Sequence, residues 1–396
     1  MSRLFLIIGI LLLLATEILR VYFIMPFPGS QHSNTIDWAY SIEKHKWLLR
    51  IIGLALVALP LYRIFTKKGK IFVKILLSLI IILYAIIFFF FNFRFEADKM
   101  FYQPSIKNFS AFAENKIDSE KLIIGIEING QSRAYPIQII GYHHQVKDTV
   151  GNTPVMITYC TVCRTGRVYS PIVNGKPEKF RLVGMDHFNA MFEDATTKSW
   201  WQQATGVAIA GPLKGSHLEE IPSHQASLAS WLRLHPNSTV LQPDSNYKEE
   251  YDDLADFDKG TIKGHLEKRD SASWKKKSWV VGVKTNGFEK AYDWNVLLKN
   301  NFIQDTVGNI PVLLTLENDT ISFHALNRNL QGRTLFFIQD RSASQLSDSN
   351  THSIWTINGV CISGTLKDAK LEQLAAYQEF WHSWENFHPN TSQYKP

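Results

Sequence analysis

Cysteine is scarce in this chain, which has three among its 396 residues. Two of the three, Cys160 and Cys163, form a Cys-x-x-Cys pair. A pair with this spacing places two sulfurs close enough to bind one metal ion or to close a small disulfide ring. In a chain that otherwise avoids cysteine, the pair indicates chemistry rather than packing.

Several motifs of known catalytic classes are absent from the sequence. It has no glycine-rich phosphate-binding loop, and Ser33, Ser110 and the other serines lie outside any nucleophile-elbow pattern. Arg164 follows the second cysteine of the pair, where a c-type haem site requires histidine. These absences argue against a phosphate-binding loop of that type, an elbow-type serine hydrolase and covalently attached haem.

An excess of positive charge is missing from most of the chain, although the net charge is +6. Residues 1–95 hold eleven Lys or Arg against three Asp or Glu, a balance of +8, so the remaining residues carry about −2 (6 − 8). The basic character therefore comes from the apolar amino-terminal region, where it reflects membrane topology. No nucleic-acid partner is expected.

Long hydrophobic runs are concentrated in residues 1–95. Leu4–Met25, Trp47–Phe65 and Ile71–Phe93 each approach the roughly 20 residues that cross a hydrocarbon core. A cleaved signal peptide is the alternative for the first run, but no small-x-small cleavage site follows it. The sequence predicts three transmembrane helices, which makes the lipid bilayer one partner of the protein.

Basic residues set the expected orientation in the membrane. The link between the second and third runs carries four basic residues and no acidic one, which predicts that this link is cytoplasmic. The four are Arg63, Lys67, Lys68 and Lys70. Three spans then place everything after Phe93 outside the cytoplasm. We therefore expect a protein of the bacterial cytoplasmic (inner) membrane with a large extracytoplasmic domain.

An internal repeat organises the remainder of the chain. The sequence of Asp148–Val155 returns at Asp305–Val312 with a single substitution. Further matches flank it: the Ile-Gly-Ile at 124–126 corresponds to the Val-Gly-Val at 281–283, and Trp231 corresponds to Trp384. Matches over such a length are hard to obtain by chance, so the sequence indicates a tandem duplication.

Each repeat has the pattern of a mostly stranded unit. Asn129-Gly130 and Asn174-Gly175 separate runs that are typical of β-hairpins. The predicted fold class is α+β, mainly antiparallel β, as an internally duplicated soluble domain preceded by three transmembrane helices. The predicted parts are a transmembrane region (1–95), a first repeat (97–245), a polar linker (246–277) and a second, degenerate repeat (278–396).

The two copies differ at the residues with the most distinctive chemistry. Residues needed only for the fold would be expected in both copies, so a joint loss from one copy indicates one working unit and one scaffold unit. The replaced residues are Cys160 by Glu317, Cys163 by Thr320, His143 by Asn300 and His144 by Asn301.

A series of motifs runs through the first repeat. They are Tyr135-Pro136, Tyr142–Asp148, Asn152–Val155, Tyr159–Cys163, Asp194, Thr197, Trp201, Gln203 and Gly211–Gly215. These residues resemble the pattern of the uncharacterised bacterial family DUF3179 (domain of unknown function 3179), strongly over residues 97–245 and weakly in the second repeat. The resemblance extends to a membrane-anchored subgroup with selenoprotein-like members, which implies a reactive thiol but no substrate.

The chain also departs from the pattern of the family that it resembles. Tyr142 stands in place of Trp, His144 in place of Glu and Ala195 in place of Arg, and Arg164 stands where Gly is usual. The histidine and both cysteines of the pattern are retained, so His143, Cys160 and Cys163 are the functional residues that the resemblance implies here.

The surroundings of the cysteine pair leave two uses open. A thioredoxin-like pair would open a helix, whereas Arg164–Arg167 leads into a strand-like run. The pair is therefore expected in a turn between strands, as in a metal-binding knuckle. An inert structural disulfide is the alternative in an oxidising compartment, although so short a ring closes little chain and adds little stability.

A hairpin folded across Gly151-Asn152 would bring His143 or His144 towards the cysteine pair. Two thiolates and one imidazole suit Cu(I), or Zn²⁺ if His144, Asp186 or His187 adds a fourth ligand. A reversible disulfide without any metal remains open as well.

The predicted site therefore comprises His143, Cys160 and Cys163, as catalytic residues or as metal ligands. The expected function is a thiol-based redox centre or a copper-type metal centre that acts on a thiol or small-molecule partner. The alternative is a non-catalytic module for metal handling or envelope assembly, in which the cysteines form a structural disulfide. Cys361 is expected to lie apart, buried as a small apolar residue.

Overall fold

The computed structural model describes residues 2–340 and 345–396. The chain divides into two compact units. The first, here called the membrane unit, comprises Met1–Tyr102 and Glu178–His217. The second, here called the repeat unit, comprises Gln103–Pro177 and Leu218–Pro396. Part of the first repeat thus belongs to the membrane unit.

The helices of the described residues are four in the membrane unit and five in the repeat unit. They are α1 (Ser2–Tyr22), α2 (Ile36–Thr66), α3 (Ile71–Phe93), α4 (Ala97–Met100), α5 (Ile137–His143), α6 (Leu228–Leu234), α7 (Lys248–Asp253), α8 (Trp294–Asn300) and α9 (Trp381–Phe387). Short 3-10 turns lie at Phe112–Glu114 and Ser245–Tyr247.

The strands are short, and most belong to antiparallel pairs. In chain order they are β1 (Phe109–Ser110), β2 (Leu122–Ile128), β3 (Gln131–Pro136), β4 (Gln145–Val150), β5 (Thr153–Cys160), β6 (Thr165–Tyr169), β7 (Ile172–Val173), β8 (Lys176–Pro177), β9 (Phe180–Asp186), β10 (Asn189–Asp194), β11 (Trp200–Gln202), β12 (Ala208–Ala210), β13 (His224–Ser227), β14 (Thr239–Leu241), β15 (Trp279–Thr285), β16 (Phe288–Asp293), β17 (Phe302–Val307), β18 (Ile310–Leu316), β19 (Phe323–Asn327), β20 (Asn329–Leu330), β21 (Arg333–Thr334), β22 (Phe337–Asp340), β23 (Gln345–Asp348), β24 (Ile354–Thr356), β25 (Cys361–Ser363), β26 (Ala375–Phe380) and β27 (Ser392–Gln393).

Three helices of the membrane unit, α1, α2 and α3, are long and apolar enough to cross a membrane. The prediction of three apolar amino-terminal helices is therefore confirmed, and their length and composition indicate membrane anchoring. α2 begins earlier than its apolar run, because the polar segment Ile36–Lys46 continues the same helix. Its 31 residues span about 46 Å, which is longer than the roughly 30 Å hydrocarbon core.

Buried charges join the three long helices. Arg50 of α2 makes a bidentate salt bridge to Glu17 of α1 at 2.7 and 2.8 Å, and it also donates to the side chain of Asn92 on α3. Glu17 is fully buried. Arg50 therefore pairs inside the bundle, where a charge needs a partner.

The membrane unit also contains one antiparallel sheet, in the order β12-β11-β10-β9. The connection between α1 and α2 packs on it: Met185 donates its backbone N–H to the carbonyl of Ile24, and the ring of Tyr40 contacts that of Trp200. Within this unit the connection thus covers an apolar sheet face.

The repeat unit is built mainly from antiparallel sheets. The larger ones have the orders β1-β14-β3-β2-β13, β26-β15-β16-β27 and β22-β23-β24-β25, and two three-stranded sheets have the orders β4-β5-β6 and β17-β18-β19. Parallel pairing occurs between β14 and β3 and between β16 and β27. The mixed fold with mostly antiparallel sheet agrees with the prediction.

Equivalent residues of the two repeats make equivalent contacts in the repeat unit. The hydroxyl of Tyr135 donates to Asp148, and the hydroxyl of Tyr292 donates to Asp305. Gly125 and Gly282 show the same close approach, since a Cβ on either would lie within 2.4 Å of the Trp231 ring or 2.2 Å of the Trp384 ring. Gln225 and Gln378 hold equivalent places before those tryptophans, and they bond to each other at 3.1 Å.

Candidate functional site

The cysteine pair lies at the closed end of the hairpin formed by β5 and β6. Cys160 is the last residue of β5 and pairs with Thr165, the first residue of β6. The cysteines thus lie in a turn between strands, as the sequence predicted. Both are buried, with 1% of Cys160 and none of Cys163 exposed.

Arg164, which replaces the Gly of the resembled pattern, has a left-handed backbone with φ of 54°. Such a conformation favours glycine, so the arginine must be held by its side chain. Its guanidinium lies 3.9 Å from the ring centroid of Trp279 and donates to the side chain of Gln378 at 2.9 Å. Arg164 therefore fastens the cysteine turn to the second repeat.

The two thiols hydrogen-bond to each other, and all three cysteines of the chain are thiols. Burial raises the pKa of Cys163 well above its usual range, and the hydrogen bond and charge of Cys160 raise it further. The positive charge of Lys277 and a hydrogen bond with Ser383 oppose that rise. Cys163 is thus protonated at neutral pH, and Lys277 and Ser383 are the two neighbours that stabilise its thiolate.

Several side chains near the pair come from the second repeat. Ser383 and His382 lie in the first turn of α9, and Glu379 and Phe380 immediately precede that helix. The backbone N–H of Phe380 donates to the carbonyl of Cys163 at 3.0 Å, which fixes α9 against the cysteine turn. The second repeat is therefore part of the site, a role that the scaffold interpretation missed.

Glu379 is the centre of a buried polar cluster beside Cys163. Its carboxylate accepts hydrogen bonds from Thr165 at 3.0 Å and from Ser383 at 2.9 Å. Arg167 of β6 donates to its other oxygen at 2.5 Å and neutralises its charge. All four side chains of this cluster are at most 2% exposed.

Lys277, at the end of the linker, also contacts the cysteine turn. Its ammonium donates at 2.6 Å to the carbonyl of Val162, the residue before Cys163, and lies 4.7 Å from the ring centroid of Phe380. Burial lowers the pKa of Lys277, while the two cysteines raise it. The imidazole of His382 is 3.2 Å from the same carbonyl, and burial lowers its pKa to about 3, so this ring is neutral at pH 7.

His143 is the last residue of α5 and is fully buried. Its Nε2 bonds to the hydroxyl of Tyr251 at 2.6 Å. Three tyrosine rings, Tyr142, Tyr247 and Tyr251, lie between 5.0 and 5.6 Å from the imidazole, measured between centroids. Two of these tyrosines come from the linker, so this linker is packed against the site rather than merely joining the repeats.

Helix α5 nevertheless contacts the cysteine turn directly. A Cβ on Gly141 would lie 3.0 Å from the side chain of Thr161 and 3.4 Å from that of Leu254. His143 is two residues further along this helix. The histidine and the cysteine pair are thus borne on elements that pack together.

His144 is the C-cap residue that follows α5, and its backbone is left-handed, with φ of 59°. Its Nδ1 bonds to the carbonyl of Tyr142 at 3.0 Å, and its own carbonyl accepts from the N–H of Tyr159. Burial lowers the pKa of His144 to about 4. Asn301 takes the same conformation at the end of α8, with φ of 64°, so this position has a structural role in both repeats.

The predicted metal ligands do not form a ready metal site. Within residues 2–340 and 345–396, no group of three or more His, Cys, Asp or Glu side chains is arranged to hold a metal ion. Asp186 and His187 belong to the membrane unit, where they bond to each other at 2.8 Å, and Asp186 also accepts from Gln202. Cys361, in β25, is buried, and burial raises its pKa.

Comparison with known sequences identifies the family. A family model described as "Protein of unknown function (DUF3179)" matches residues 102–391. The chain belongs to the DUF3179 family. No curated protein and no solved structure matches it.

Some motif residues of this DUF3179 protein have a structural explanation. The indole N–H of Trp201 donates to Asp194 at 2.9 Å, and that of Trp355 donates to Asp348 at the same distance. The second repeat thus keeps an Asp-x-x-Thr-x-Ser-x-Trp segment that sequence comparison of the repeats had missed. A motif retained in both repeats serves the fold. His143, Cys160 and Cys163 are instead motif residues that the first repeat has and the second lacks.

Proposed function

We propose that this protein is a membrane-anchored thiol oxidoreductase whose Cys160–Cys163 pair cycles between dithiol and disulfide. The observation that supports this best is the contact between the two thiols in a turn flanked by an ammonium group and a hydroxyl group. Lys277 and Ser383 both favour the thiolate of Cys163, and the thiolate is the nucleophile of thiol chemistry.

The reaction is thiol–disulfide exchange with a partner that carries a disulfide. The thiolate of Cys163 attacks one partner sulfur, which breaks the partner's disulfide and releases one thiol. Cys160 then attacks the mixed disulfide and releases the second partner thiol. Two electrons pass to the partner, and the two cysteine protons end on the two released thiols. A thiol partner would drive the same steps in reverse.

Burial limits which partners can react. With at most 1% of either cysteine exposed, a folded protein surface cannot reach the sulfurs without movement of the turn. A small thiol or disulfide, or an extended peptide segment, needs a narrower opening of the turn than a folded protein does, and we propose a partner of this kind. His143 and the tyrosines around it would line that approach, since α5 packs against the cysteine turn.

The first experiment counts reactive thiols in the full chain purified in detergent. After exposure to oxidised glutathione, the protein is alkylated and mapped by mass spectrometry. We expect Cys160 and Cys163 to be linked to each other and Cys361 to be alkylated only after unfolding. The control is Cys361→Ser, which should behave as the wild type. Recovery of both Cys160 and Cys163 as alkylated thiols after exposure to oxidised glutathione would contradict the proposal.

The soft-metal alternative rests on the same contact, because two adjacent thiolates suit Cu(I). Cys160 and Cys163 would hold the ion, and His143 would have to leave Tyr251 to join them. Anaerobic elemental analysis of the wild type and of Cys160→Ser decides this point. Stoichiometric copper or zinc that is lost in the variant would favour the metal centre over the redox pair.

We propose that the protein lies in the bacterial inner membrane with its repeat unit outside the cytoplasm. Oxidants in that compartment keep disulfides available. The support is the basic link between α2 and α3, whose Lys67, Lys68 and Lys70 favour the cytoplasmic side. A reporter that works only outside the cytoplasm, fused after Phe93, should be active. Activity of a cytoplasm-only reporter at the same point would contradict this orientation.

A further inference from the structure

Oxidation of the cysteine pair must remove a proton from a buried thiol. Cys163 is fully buried, and its pKa lies well above the usual range because of burial. Direct removal by hydroxide would therefore be slow at neutral pH. A neighbouring base that reaches the thiol from inside the protein would avoid this difficulty.

Three hydrogen-bonding groups lead away from Cys163 in an unbroken series. The thiol is hydrogen-bonded to Ser383, whose hydroxyl donates at 2.9 Å to Oε2 of Glu379. Thr165 donates to the same carboxylate oxygen at 3.0 Å and lies 3.1 Å from the Ser383 hydroxyl. The series begins at a reacting sulfur and ends at a buried carboxylate.

We infer that Ser383 and Glu379 form a proton relay for Cys163, an inference that rests on the proposed thiol exchange. The thiol proton passes to the Ser383 hydroxyl while the hydroxyl proton passes to Glu379. The products are a thiolate at Cys163 and a neutral carboxylic acid at Glu379, so the net charge of the site is unchanged. The proton returns when the partner's leaving thiolate is protonated, and Glu379 is then a carboxylate again.

The charges around the relay fit both of its states. Arg167 neutralises Glu379 while it is ionised, and its Nε lies 3.6 Å from Glu220, whose side chain is 33% exposed. Arg167 therefore keeps an acidic neighbour when Glu379 takes the proton. At the sulfur end of the relay, the ammonium of Lys277 favours the new thiolate of Cys163.

The other repeat shows what the same serine does without a thiol. Ser230 lies on α6 where Ser383 lies on α9, one residue before the equivalent tryptophans. Its hydroxyl donates at 2.7 Å to Glu317, the residue that corresponds to Cys160. Each helix serine thus faces the hairpin end of the opposite repeat, and only Ser383 meets a cysteine. Ser230 is the matched control for Ser383.

The test follows the rate at which 4,4′-dithiodipyridine oxidises the pair in the full chain in detergent, from pH 6 to pH 8. Internal proton transfer exchanges no proton with water, so the wild-type rate should change less than about threefold over this range. Ser383→Ala and Glu379→Gln should react at least tenfold more slowly at pH 7. Their rates should rise about tenfold per pH unit, because the thiolate then forms only by loss of a proton to water.

Ser230→Ala should keep the wild-type rate and the flat pH profile. A merely structural role for Ser383 would loosen the turn and speed the reaction, which is the opposite of the expected change. Glu379→Gln has the same shape as the native side chain and decides the question if Ser383→Ala does not fold. The relay is wrong if both variants keep the flat profile. If the wild-type pair never oxidises, the proposed function itself fails, and the relay fails with it.

Discussion

The two repeats share a frame and differ at the end of one hairpin. Tyr135 with Asp148 and Tyr292 with Asp305 hold the same contact in each. The β5–β6 hairpin ends in two buried thiols, whereas the β18–β19 hairpin ends at Glu317. The two repeats therefore share contacts that build the fold and differ in the chemistry that the hairpin ends present.

The second hairpin has a buried carboxylate, Glu317, at the position that corresponds to Cys160. Burial alone would raise the pKa of Glu317, but hydrogen bonds from His324, Arg233 and Ser230 lower it to about 2. His324 lies 2.8 Å and Arg233 2.6 Å from the carboxylate. Glu317 is thus an ionised residue held in a salt-bridge cluster, whereas the thiols of the first hairpin can change their covalent state.

The close contact between a glycine and a tryptophan ring occurs in both repeats, and filling it should have the most severe effect. Gly125→Ala and Gly282→Ala each place a Cβ within 2.4 Å of a tryptophan ring. We expect each change to lower the free energy of unfolding by more than about 3 kcal/mol, because neither buried ring can yield. Thermal unfolding of the full chain in detergent measures both. Tolerance of one change but not the other would show that the two frames are not equivalent.

Acid pH should separate His144 from its counterpart Asn301. The pKa of His144 is about 4 in the folded protein, because of burial, and about 6.5 when unfolded. The unfolded chain therefore binds the proton first, so stability is full above pH 6.5 and falls as the pH drops towards 4. The loss from this one group reaches about 3 kcal/mol.

His144→Asn should remove that share of the acid sensitivity while keeping the left-handed helix end, which asparagine tolerates. Unfolding midpoints of the wild type and the variant at pH 7 and pH 4.5 provide the measurement. The unfolding midpoint of the variant should rise relative to that of the wild type only at the lower pH. Equal shifts at both pH values would contradict a buried, neutral His144.

Two tryptophans test whether their motif serves the fold. Trp201→Phe and Trp355→Phe each remove an indole N–H that donates to a buried aspartate. We expect a loss of about 2 kcal/mol in each, since the carboxylate is left with one donor fewer. Neither change should alter the oxidation of the cysteine pair. A selective loss of thiol reactivity in Trp201→Phe would return this motif to the list of functional residues.

The smallest expected effect concerns the second hairpin. Glu317→Gln should remove the ion pair with Arg233, weaken the hydrogen bond with His324 and lower stability by about 1 kcal/mol, since Arg233 is largely exposed. The rate of cysteine oxidation should not change. Chemical denaturation and the dithiodipyridine assay measure the two quantities on the same sample. A slower oxidation would show that the second hairpin acts on the first.

Local patterns in the sequence predicted much of this molecule. The apolar runs predicted the three long helices, and the residues after Cys163 predicted a turn between strands. The amino-terminal extension of α2 escaped prediction because Ile36–Lys46 is polar, although it continues the helix. The second copy of the Asp–Trp motif has a recognisable pattern at Asp348 and Trp355, but its matching residues are too widely spaced to stand out in the sequence.

The surroundings of the cysteines could not be read from local pattern. Glu379 contacts Thr165 across 214 residues of sequence, and no periodicity marks such a pair. The same holds for Tyr251, whose place in a polar linker gave no sign that it would bond to His143. Contacts of this kind depend on how the two repeats pack, which is a property of the tertiary structure.

The proposed function requires Cys160 and Cys163 to form a redox pair rather than a structural bridge. Equilibration of the full chain in glutathione buffers of known potential, followed by alkylation and mass spectrometry, gives its midpoint. We predict one two-electron transition, with about 30 mV per tenfold change in the ratio of forms, at a potential above about −300 mV. A midpoint below that value would indicate a structural disulfide, and the absence of any transition would contradict the redox pair altogether.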